Sequence, residues 1–125
     1  MQLLFERSEE WEGAEGIGLL PGRVVPLPAG GLKLPHIGWN LVRWRRASPL
    51  TEGLPDPAAF YHVHSFVPEP ADDDIALGDG EYGTRFVSFV ERGNVFGAQC
   101  HPEKSSFTGL RLLRNFVGIC ATVDA

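Results

Sequence analysis

The sequence has little cysteine, no surplus of positive charge and no long apolar run. Two cysteines among 125 residues cannot form the disulfide framework of a small secreted protein, so we expect two reduced thiols in a cytoplasmic protein. Eleven Lys and Arg against sixteen Asp and Glu leave a net charge of −5, which argues against nucleic acid as the main partner. No apolar segment approaches the roughly 20 residues of a membrane span, and the first residues lack a signal-peptide pattern, so we expect no membrane association.

Glycine and proline, by contrast, are frequent. Fifteen glycines and ten prolines favour short strands and tight turns over long helices. Pro68 and Pro70 are expected to end the third of five predicted strands, and residues 91–94 to join the last two into a β-hairpin. The five predicted strands cover 23–27, 36–45 (a loop running into a strand), 60–66, 86–90 and 95–99.

Both ends of the sequence are predicted to be helical. Residues 1–7 lack the Ser, Thr, Asp or Asn that normally precedes a helix. Residues 107–117 place five apolar side chains on one helical face, behind a possible cap at Ser105 or Ser106. The five are Phe107, Leu110, Leu113, Phe116 and Val117. This order predicts either a small α+β domain or a larger α/β domain with part of its sheet absent, and the uncapped first helix favours the second.

His101 and Glu103 carry the strongest chemical signal. In an extended backbone, residues two apart point to the same side, and Pro102 restricts the backbone between them. An imidazole oriented by a carboxylate is two thirds of a nucleophile–base–orienter triad. The alternative is a surface turn without chemistry, because the sequence contains no obvious nucleophile.

Two further clusters have simpler interpretations. His62 and His64 share a strand face and could hold zinc, but no second set of ligands stands at metal spacing, so we predict a packed or hydrogen-bonded pair and no metal. Arg43, Arg45 and Arg46 are the only basic cluster. A strand with a solvated face explains them better than a phosphate or RNA site.

Four segments together point to a family. They are MQLLFE (1–6), LPHIGWN (34–40), VHS (63–65), and HPEKS (101–105) followed by GLR (109–111). The chain resembles the class I glutamine amidotransferases, and more narrowly the glutaminase subunits of imidazole glycerol phosphate synthase from histidine biosynthesis. His-Pro-Glu is shared across that class, whereas the second segment and Lys-Ser indicate this subunit. The resemblance implies a flavodoxin-like α/β domain, of which residues 1–125 form the carboxy-terminal part: a strand-rich middle, a β-hairpin and a terminal helix.

The resemblance also implies roles around a glutamine substrate. His101 resembles the general base and Glu103 its orienting carboxylate. Gln2 resembles an elbow glutamine that helps to hold the substrate, and residues 64–66 match a strand whose backbone lines the substrate's amino-acid end. Phe66 replaces the family's usual Tyr, so a hydroxyl contact is lost there. The implied substrate-binding residues are Gln2, His64, Ser65 and Phe66.

A partner is implied in the same way. The glutaminase subunit forms a heterodimer with a cyclase subunit, and ammonia crosses the interface between them. The residues that match positions near that interface are Trp39, Asn40, Tyr61 and Lys104. The prediction includes no cofactor and no metal.

The resemblance leaves the nucleophile unaccounted for. In the family a cysteine lies on a Gly-x-Cys-Leu-Gly-Met-Gln elbow, and this sequence begins at the Met of that elbow, so we expect the cysteine just upstream of residue 1. Cys100 stands where the family usually has Phe, and strand alternation points it away from His101, so we predict a buried, inert thiol. We expect no useful glutaminase activity from these residues alone, and poor solubility because central strands would be missing.

Two alternatives stay open. One is a module without a nucleophile that docks on the cyclase without catalysing. The other is part of a different class I amidotransferase, against which residues 35–40 and the Lys104-Ser105 pair argue.

Overall fold

The computed structural model describes residues 1–123, which form two β-sheets and one long helix. Short 3-10 turns occur at Gln2–Leu4, Pro49–Thr51, Asp73–Ile75 and Pro102–Lys104. No helix within residues 1–123 combines the length and apolarity needed to cross a membrane. The elements in chain order are β1 (Phe5–Ser8), β2 (Ala14–Glu15), β3 (Leu20–Pro26), β4 (His36–Trp44), β5 (Ala58–His64), β6 (Phe66–Pro70), β7 (Ala76–Glu81), β8 (Arg85–Arg92), β9 (Val95–Ala98) and α1 (Ser106–Val123).

The smaller sheet has four strands in the order β2-β1-β3-β6. β1 runs parallel to β3, with Phe5 beside Leu20, whereas β6 runs antiparallel to β3. Phe5, Leu20 and Val24 are fully buried. They form one apolar cluster with Ile75 and with Val90 of β8. Because β8 belongs to the other sheet, this cluster joins the two sheets.

The larger sheet is antiparallel, with its five strands in the order β5-β4-β7-β8-β9. β4 and β5 pair from His36 beside His64 to Val42 beside Ala58. Alternate side chains of these strands face opposite ways. The inward side chains of β4 and β5 form a core together with residues of α1 and of neighbouring elements. The core consists of Val42, Leu50, Ala58, Phe60, Leu77, Phe89, Cys100 and Leu112. The outward ones, including Ile37, Trp39, Leu41 and Val63, are exposed.

The helix predicted at residues 1–7 is wrong. A single 3-10 turn at Gln2–Leu4 leads directly into β1. Phe5 has no exposed surface and pairs with Leu20. Pairing and burial in the sheet therefore outweigh the local helical preference, which is a weak prior.

The prediction that Pro68 and Pro70 end a strand is also wrong. Both prolines lie within β6, opposite Val24 and Gly22 of β3. β6 is an edge strand of its sheet, and an edge strand tolerates residues without an N–H on its unpaired side. The break falls instead at Ser65, where the chain leaves one sheet and enters the other.

No local pattern predicts β7, which lies at the centre of the larger sheet. Its Gly-Asp-Gly segment, residues 78–80, has low β propensity. Gly78 lies under the ring of Trp44, where an added Cβ would stand 2.8 Å from the ring carbon Cζ3. The Trp44 ring packs so closely that position 78 requires glycine, and glycine weakens the sequence signal for a strand. The short strands β1 and β2 were likewise not predicted.

The remaining element predictions are confirmed with small shifts of boundary. β3 and β4 cover the predicted strands, although β4 is extended from His36 onward. β8 and β9 form the hairpin, closed next to the pair Arg92 and Val95. In the arginine cluster, Arg45 pairs with Asp79 at 2.8 Å and Arg46 with Glu91 at 3.0 Å, consistent with a solvated strand end.

α1 begins as predicted but extends to Val123, beyond the predicted end at residue 117. The predicted apolar face packs only in part: the Phe116 ring meets Phe96 edge-on, with centroids 6.2 Å apart. Phe107, Leu110 and Val117 are 85%, 58% and 66% exposed. Leu112, one of the residues between them, is buried in the core instead. The orientation of α1 is set by the contact of Gly109 with the preceding turn, described below, and periodicity alone does not reveal that contact.

Candidate active site

The turn at residues 101–105 brings an imidazole and a carboxylate together. His101 Nδ1 lies 3.0 Å from Glu103 Oε1, so the predicted convergence is confirmed, but the extended backbone predicted for it is wrong, because Pro102–Lys104 forms a 3-10 turn. A carboxylate accepts, so Nδ1 carries the proton and Nε2 is the nitrogen able to accept another. The side chains of His101 and Glu103 are 39% and 58% exposed.

Glu103 is held in its ionised form. The pKa of its carboxyl is lowered, first by a hydrogen bond from its own backbone N–H and then by the neighbouring His101 and Lys104. An ionised carboxylate can orient the His101 ring and stabilise it when it becomes charged. This is the behaviour that the orienting member of a triad needs.

Ser105 fixes the backbone of this turn. Its hydroxyl donates to the His101 carbonyl at 2.7 Å and accepts from the Tyr61 N–H at 2.9 Å. The Tyr61 carbonyl in turn accepts from the His101 N–H at 2.9 Å. Ser105 is 1% exposed. The sequence suggested Ser105 as a possible helix cap, but its hydroxyl ties the turn to β5, a role without a local sequence signal.

Gly109 lets α1 approach the turn closely. An added Cβ would lie 1.8 Å from the Pro102 carbonyl oxygen, a distance that no atom pair tolerates. The Gly109 N–H donates to the Ser105 carbonyl at 3.1 Å. The turn that carries His101 is therefore held between β5 on one side and the first turn of α1 on the other.

Cys100 is buried beside this turn, as predicted. It is 5% exposed and packs in the core with Phe60 and Leu112. Burial raises the pKa of its thiol well above the usual range, so the nucleophilic thiolate does not form near neutral pH. Within residues 1–123, no Ser, Thr or Cys side chain is hydrogen-bonded to the His101 ring.

The predicted substrate residues gather around the start of β6. Gln2 Nε2 donates to the Phe66 carbonyl at 3.1 Å and to Gln99 Oε1 at 3.2 Å. His64 Nδ1 lies 3.1 Å from the same Phe66 carbonyl. Ser65 contributes its carbonyl to the Leu27 N–H at 2.9 Å. Gln2, His64 and Phe66 thus meet at one backbone oxygen, a meeting point that sequence reasoning did not anticipate.

His62 and His64 are packed and hydrogen-bonded, as predicted, within a larger aromatic cluster that includes His36. The ring of His36 stacks 5.4 Å from His62 and meets His64 edge-on at 4.9 Å. Every ring nitrogen of the three histidines has a hydrogen-bond partner. Burial lowers the pKa values of His36 and His62 to about 4. Within residues 1–123 no group of three or more His, Cys, Asp or Glu is arranged to hold a metal ion.

The four predicted partner-facing residues do not share one surface: two lie on the outer face of the sheet, one on its opposite face and one on the turn of His101. Trp39 and Tyr61 lie side by side on the outer face, with ring centroids 6.1 Å apart. Lys104 is exposed on the turn beside His101. Asn40 points to the opposite face from Trp39, where its amide donates to the Glu81 carbonyl at 2.7 Å.

Comparison with known proteins agrees with this geometry. The family model for class-I glutamine amidotransferases matches residues 1–120. The chain therefore belongs to the class I glutamine amidotransferase family. A solved structure described as a putative GMP synthase protein from Thermoplasma acidophilum superposes with a TM-score of 0.66 at 23% identity, over 82% of this chain and 50% of that one. This likeness confirms the predicted fold class.

Within the family, similar relatives carry one description. The chain is 50% identical over 119 residues to "Imidazole glycerol phosphate synthase subunit HisH" of Bacillus cereus (strain G9842), covering 95% of the chain and 56% of the relative. It is 49% identical over 116 residues to the protein of the same description from Moorella thermoacetica, covering 93% and 55%. The chain thus spans about half the length of these relatives.

Proposed function

We propose that this chain is the base-bearing part of a glutaminase subunit of imidazole glycerol phosphate synthase, which converts glutamine to glutamate and passes ammonia to a cyclase subunit in the cytoplasm. The observation that carries the proposal is the His101–Glu103 pair at 3.0 Å, on a turn fixed from both sides. The similarity to subunits of that synthase favours this reaction over those of other class I glutamine amidotransferases.

His101 has the position and tautomer for proton transfer. In this chemistry a thiol attacks the side-chain amide carbon of glutamine, and His101 Nε2 takes the thiol proton and returns it to the departing ammonia. Water then attacks the acyl-enzyme with His101 again as base; the thioester C–S bond breaks, glutamate leaves, and the proton held by His101 returns to the thiolate. Glu103 keeps Nδ1 protonated and stabilises the imidazolium. We propose that the thiol comes from a part of the relatives that this chain does not match, because Cys100 is buried with a raised pKa.

We propose that glutamine binds beside the start of β6. Gln2, His64 and the backbone of Ser65 and Phe66 converge there. Gln2 Nε2 donates both to the Phe66 carbonyl and to the side chain of Gln99, two residues before His101. This pair of hydrogen bonds links the proposed glutamine-binding segment to the catalytic turn.

The cyclase is proposed to dock on the outer face of β4 and β5. Ile37, Trp39, Leu41 and Val63 are 58%, 56%, 51% and 39% exposed, and an exposed apolar row of this kind is typical of an interaction surface. Tyr61 and Lys104 connect that face to the catalytic turn, while Asn40 lies behind it. In a binding assay with a cyclase subunit, Trp39→Ala should weaken binding, whereas Trp11→Ala, which removes a 93% exposed Trp elsewhere, should not.

A chimera tests the proposed reaction. The chain is joined to the amino-terminal portion of the Bacillus cereus relative, which should carry the cysteine elbow, and glutamate formation from glutamine is measured. We expect His101→Ala to lower the rate by about 10³-fold or more, with no further loss in the double variant with Glu103→Gln, because triad members act as a unit. Glu12→Gln is the matched control on an exposed carboxylate. An active chimera that is insensitive to His101→Ala would contradict the proposal.

A second candidate is a module that docks on a cyclase without catalysing. The burial of Cys100 favours it for the 125 residues by themselves. We expect the purified chain to release no glutamine-dependent ammonia, and such release would contradict this expectation. Binding to a cyclase by a chain whose chimera is inactive would favour the second candidate.

A further inference from the structure

A line of hydrogen bonds crosses the buried space between β4 and the start of β6. At one end, the Asn40 amide nitrogen donates to the Glu81 carbonyl at 2.7 Å and lies 3.3 Å from His36 Nε2. His36 Nδ1 then lies 2.8 Å from His64 Nε2. At the other end, His64 Nδ1 lies 3.1 Å from the Phe66 carbonyl. From the Glu81 carbonyl to the Phe66 carbonyl, the line therefore joins five side-chain and backbone groups from four strands, β7, β4, β5 and β6.

The direction of every bond follows from the two ends. The Phe66 carbonyl can only accept, so His64 Nδ1 carries a proton. The Asn40 amino group can only donate, so His36 Nε2 must accept. Two neutral rings meet both requirements only if His36 Nδ1 donates to His64 Nε2. Both histidines are thus Nδ1–H tautomers, and a proton on either Nε2 breaks a bond in the line.

The surroundings keep both rings neutral. His36 and His64 are 3% and 6% exposed. The groups that face them are His62, Tyr82 and Phe86, at ring-centroid distances of 4.1 to 5.8 Å. Within residues 1–123 no carboxylate is hydrogen-bonded to either ring. Burial lowers the pKa of His64, and burial together with His64 lowers that of His36.

We infer that Asn40, His36 and His64 form a relay locked in one tautomer that holds the Phe66 carbonyl, and that His36 is thereby a positioning residue for the segment that faces the substrate. The same carbonyl accepts from Gln2 at 3.1 Å, so a shift in the relay reaches Gln2. The inference rests on the proposed function only where it says that this segment faces the substrate. The relay itself depends on the geometry of the described residues.

Nitrogen NMR of the 125-residue chain tests the relay. Solid-state spectra with nitrogen-15 in His and Gln side chains do not require a highly soluble sample, and four histidines and two glutamines give few signals. At neutral pH we expect His36 and His64 to show a protonated Nδ1 and an unprotonated Nε2, with a nitrogen–nitrogen correlation between the two rings. A wild-type spectrum with the Nε2–H form or a doubly protonated ring at either residue would overturn the relay.

A pair of matched variants tests whether a change in the relay alters the surroundings of Gln2. Asn40→Asp replaces the donor with an acceptor, so we expect His36 to gain a proton on Nε2 and the His64 and Gln2 side-chain signals to move with it. Asn115→Asp is the control, since the Asn115 amide also donates to two backbone carbonyls, each at 2.9 Å, but lies on α1. The control should leave all three signals unchanged. A folded Asn40→Asp variant with an unmoved Gln2 signal would contradict the inference.

A third variant decides the matter if Asn40→Asp does not fold. His36→Phe keeps a ring against Tyr82, whose centroid is 4.1 Å away, and removes both nitrogens from the line. We expect the His64 and Gln2 signals to change, and an unchanged Gln2 signal would overturn the proposal. No glutamine is present in these measurements. Failure of the relay would therefore leave the chimera's activity untouched, and an inactive chimera would leave the relay untouched.

Discussion

The four histidines of this chain occupy two contrasting regions. His101 is partly exposed, paired with an exposed carboxylate, and held through its backbone. His36, His62 and His64 are buried, and every ring nitrogen is hydrogen-bonded within the protein. The comparison shows that the catalytic candidate is the histidine whose side chain is least constrained by the core. Burial lowers the pKa of all three buried rings, so they are poorly suited to take up a proton near neutral pH.

The largest effect should come from acidifying the buried region. The pKa values of His36 and His62 are lowered from 6.5 to about 4. Between these values the unfolded chain binds protons that the folded chain does not, so stability is full above pH 6.5 and falls as the pH drops toward 4. The loss should be about 1.4 kcal/mol per pH unit for each histidine. Denaturant unfolding at a series of pH values measures it.

His62→Phe should reduce that pH dependence, because it removes one of the three buried histidines whose pKa is lowered. Phe86→Leu is the matched control, since Phe86 faces the same rings but cannot titrate. It should lower stability by a similar amount at every pH. Equal slopes for wild type and His62→Phe would show that the buried ring does not titrate in this way.

The next largest effect on stability should come from Gly109, which lets α1 pack against the turn that carries His101. Gly109→Ala places a Cβ 1.8 Å from the Pro102 carbonyl, so α1 and the catalytic turn must move apart, at a cost of about 3 kcal/mol. Gly118→Ala lies in the same helix with nothing within 4 Å and should gain up to about 1 kcal/mol from helix propensity. Thermal unfolding of the two variants compares them directly. Similar changes for both would contradict the close approach.

Ser105→Ala should have a smaller effect on the same turn. It leaves the part-buried Tyr61 N–H without its acceptor, while the His101 carbonyl keeps only its bond from the Lys104 N–H, a loss of about 1 to 3 kcal/mol. Ser106→Ala, next along the chain and exposed, is the control and should be near neutral. Hydrogen exchange at the Tyr61 amide should accelerate only in the first variant.

The smallest effect on stability should come from the chemical pair itself. Glu103→Gln removes an exposed ion pair, and such pairs contribute little to folding. Its unfolding midpoint should match that of wild type, while the chimera carrying it loses activity. A marked loss of stability would mean that Glu103 supports the fold rather than the reaction.

The chemistry of the site was more predictable than its support. The spacing of His101 and Glu103 predicted that their side chains converge, but a 3-10 turn at Pro102–Lys104 brings them together, not strand geometry. Cys100 is buried as predicted, although β9 ends at Ala98 and strand alternation does not extend to it. Local patterns also located the hairpin and the start of α1.

The parts that failed depend on distant contacts. β7 is hidden because Gly78 is selected by the ring of Trp44, 34 residues earlier in the sequence. The packed face of α1 depends on the close contact of Gly109 with Pro102. The apolar residues of α1 span a wider arc of the helix than the part that is buried, so their periodicity predicts the wrong face. The histidine line is invisible in sequence because it joins Asn40 to Phe66 through registry between strands.

Tyr61 contacts both the turn that carries His101 and the outer face of the sheet. Its backbone N–H and carbonyl clamp the turn of His101, while its ring rests against Trp39 on the outer face. Since a hydrogen bond weakens beyond about 3.2 Å, a slide of β5 by a few tenths of an ångström would loosen that clamp. A load applied to Trp39 would therefore be transmitted to the turn of His101 through the two peptide groups on either side of the Tyr61 Cα.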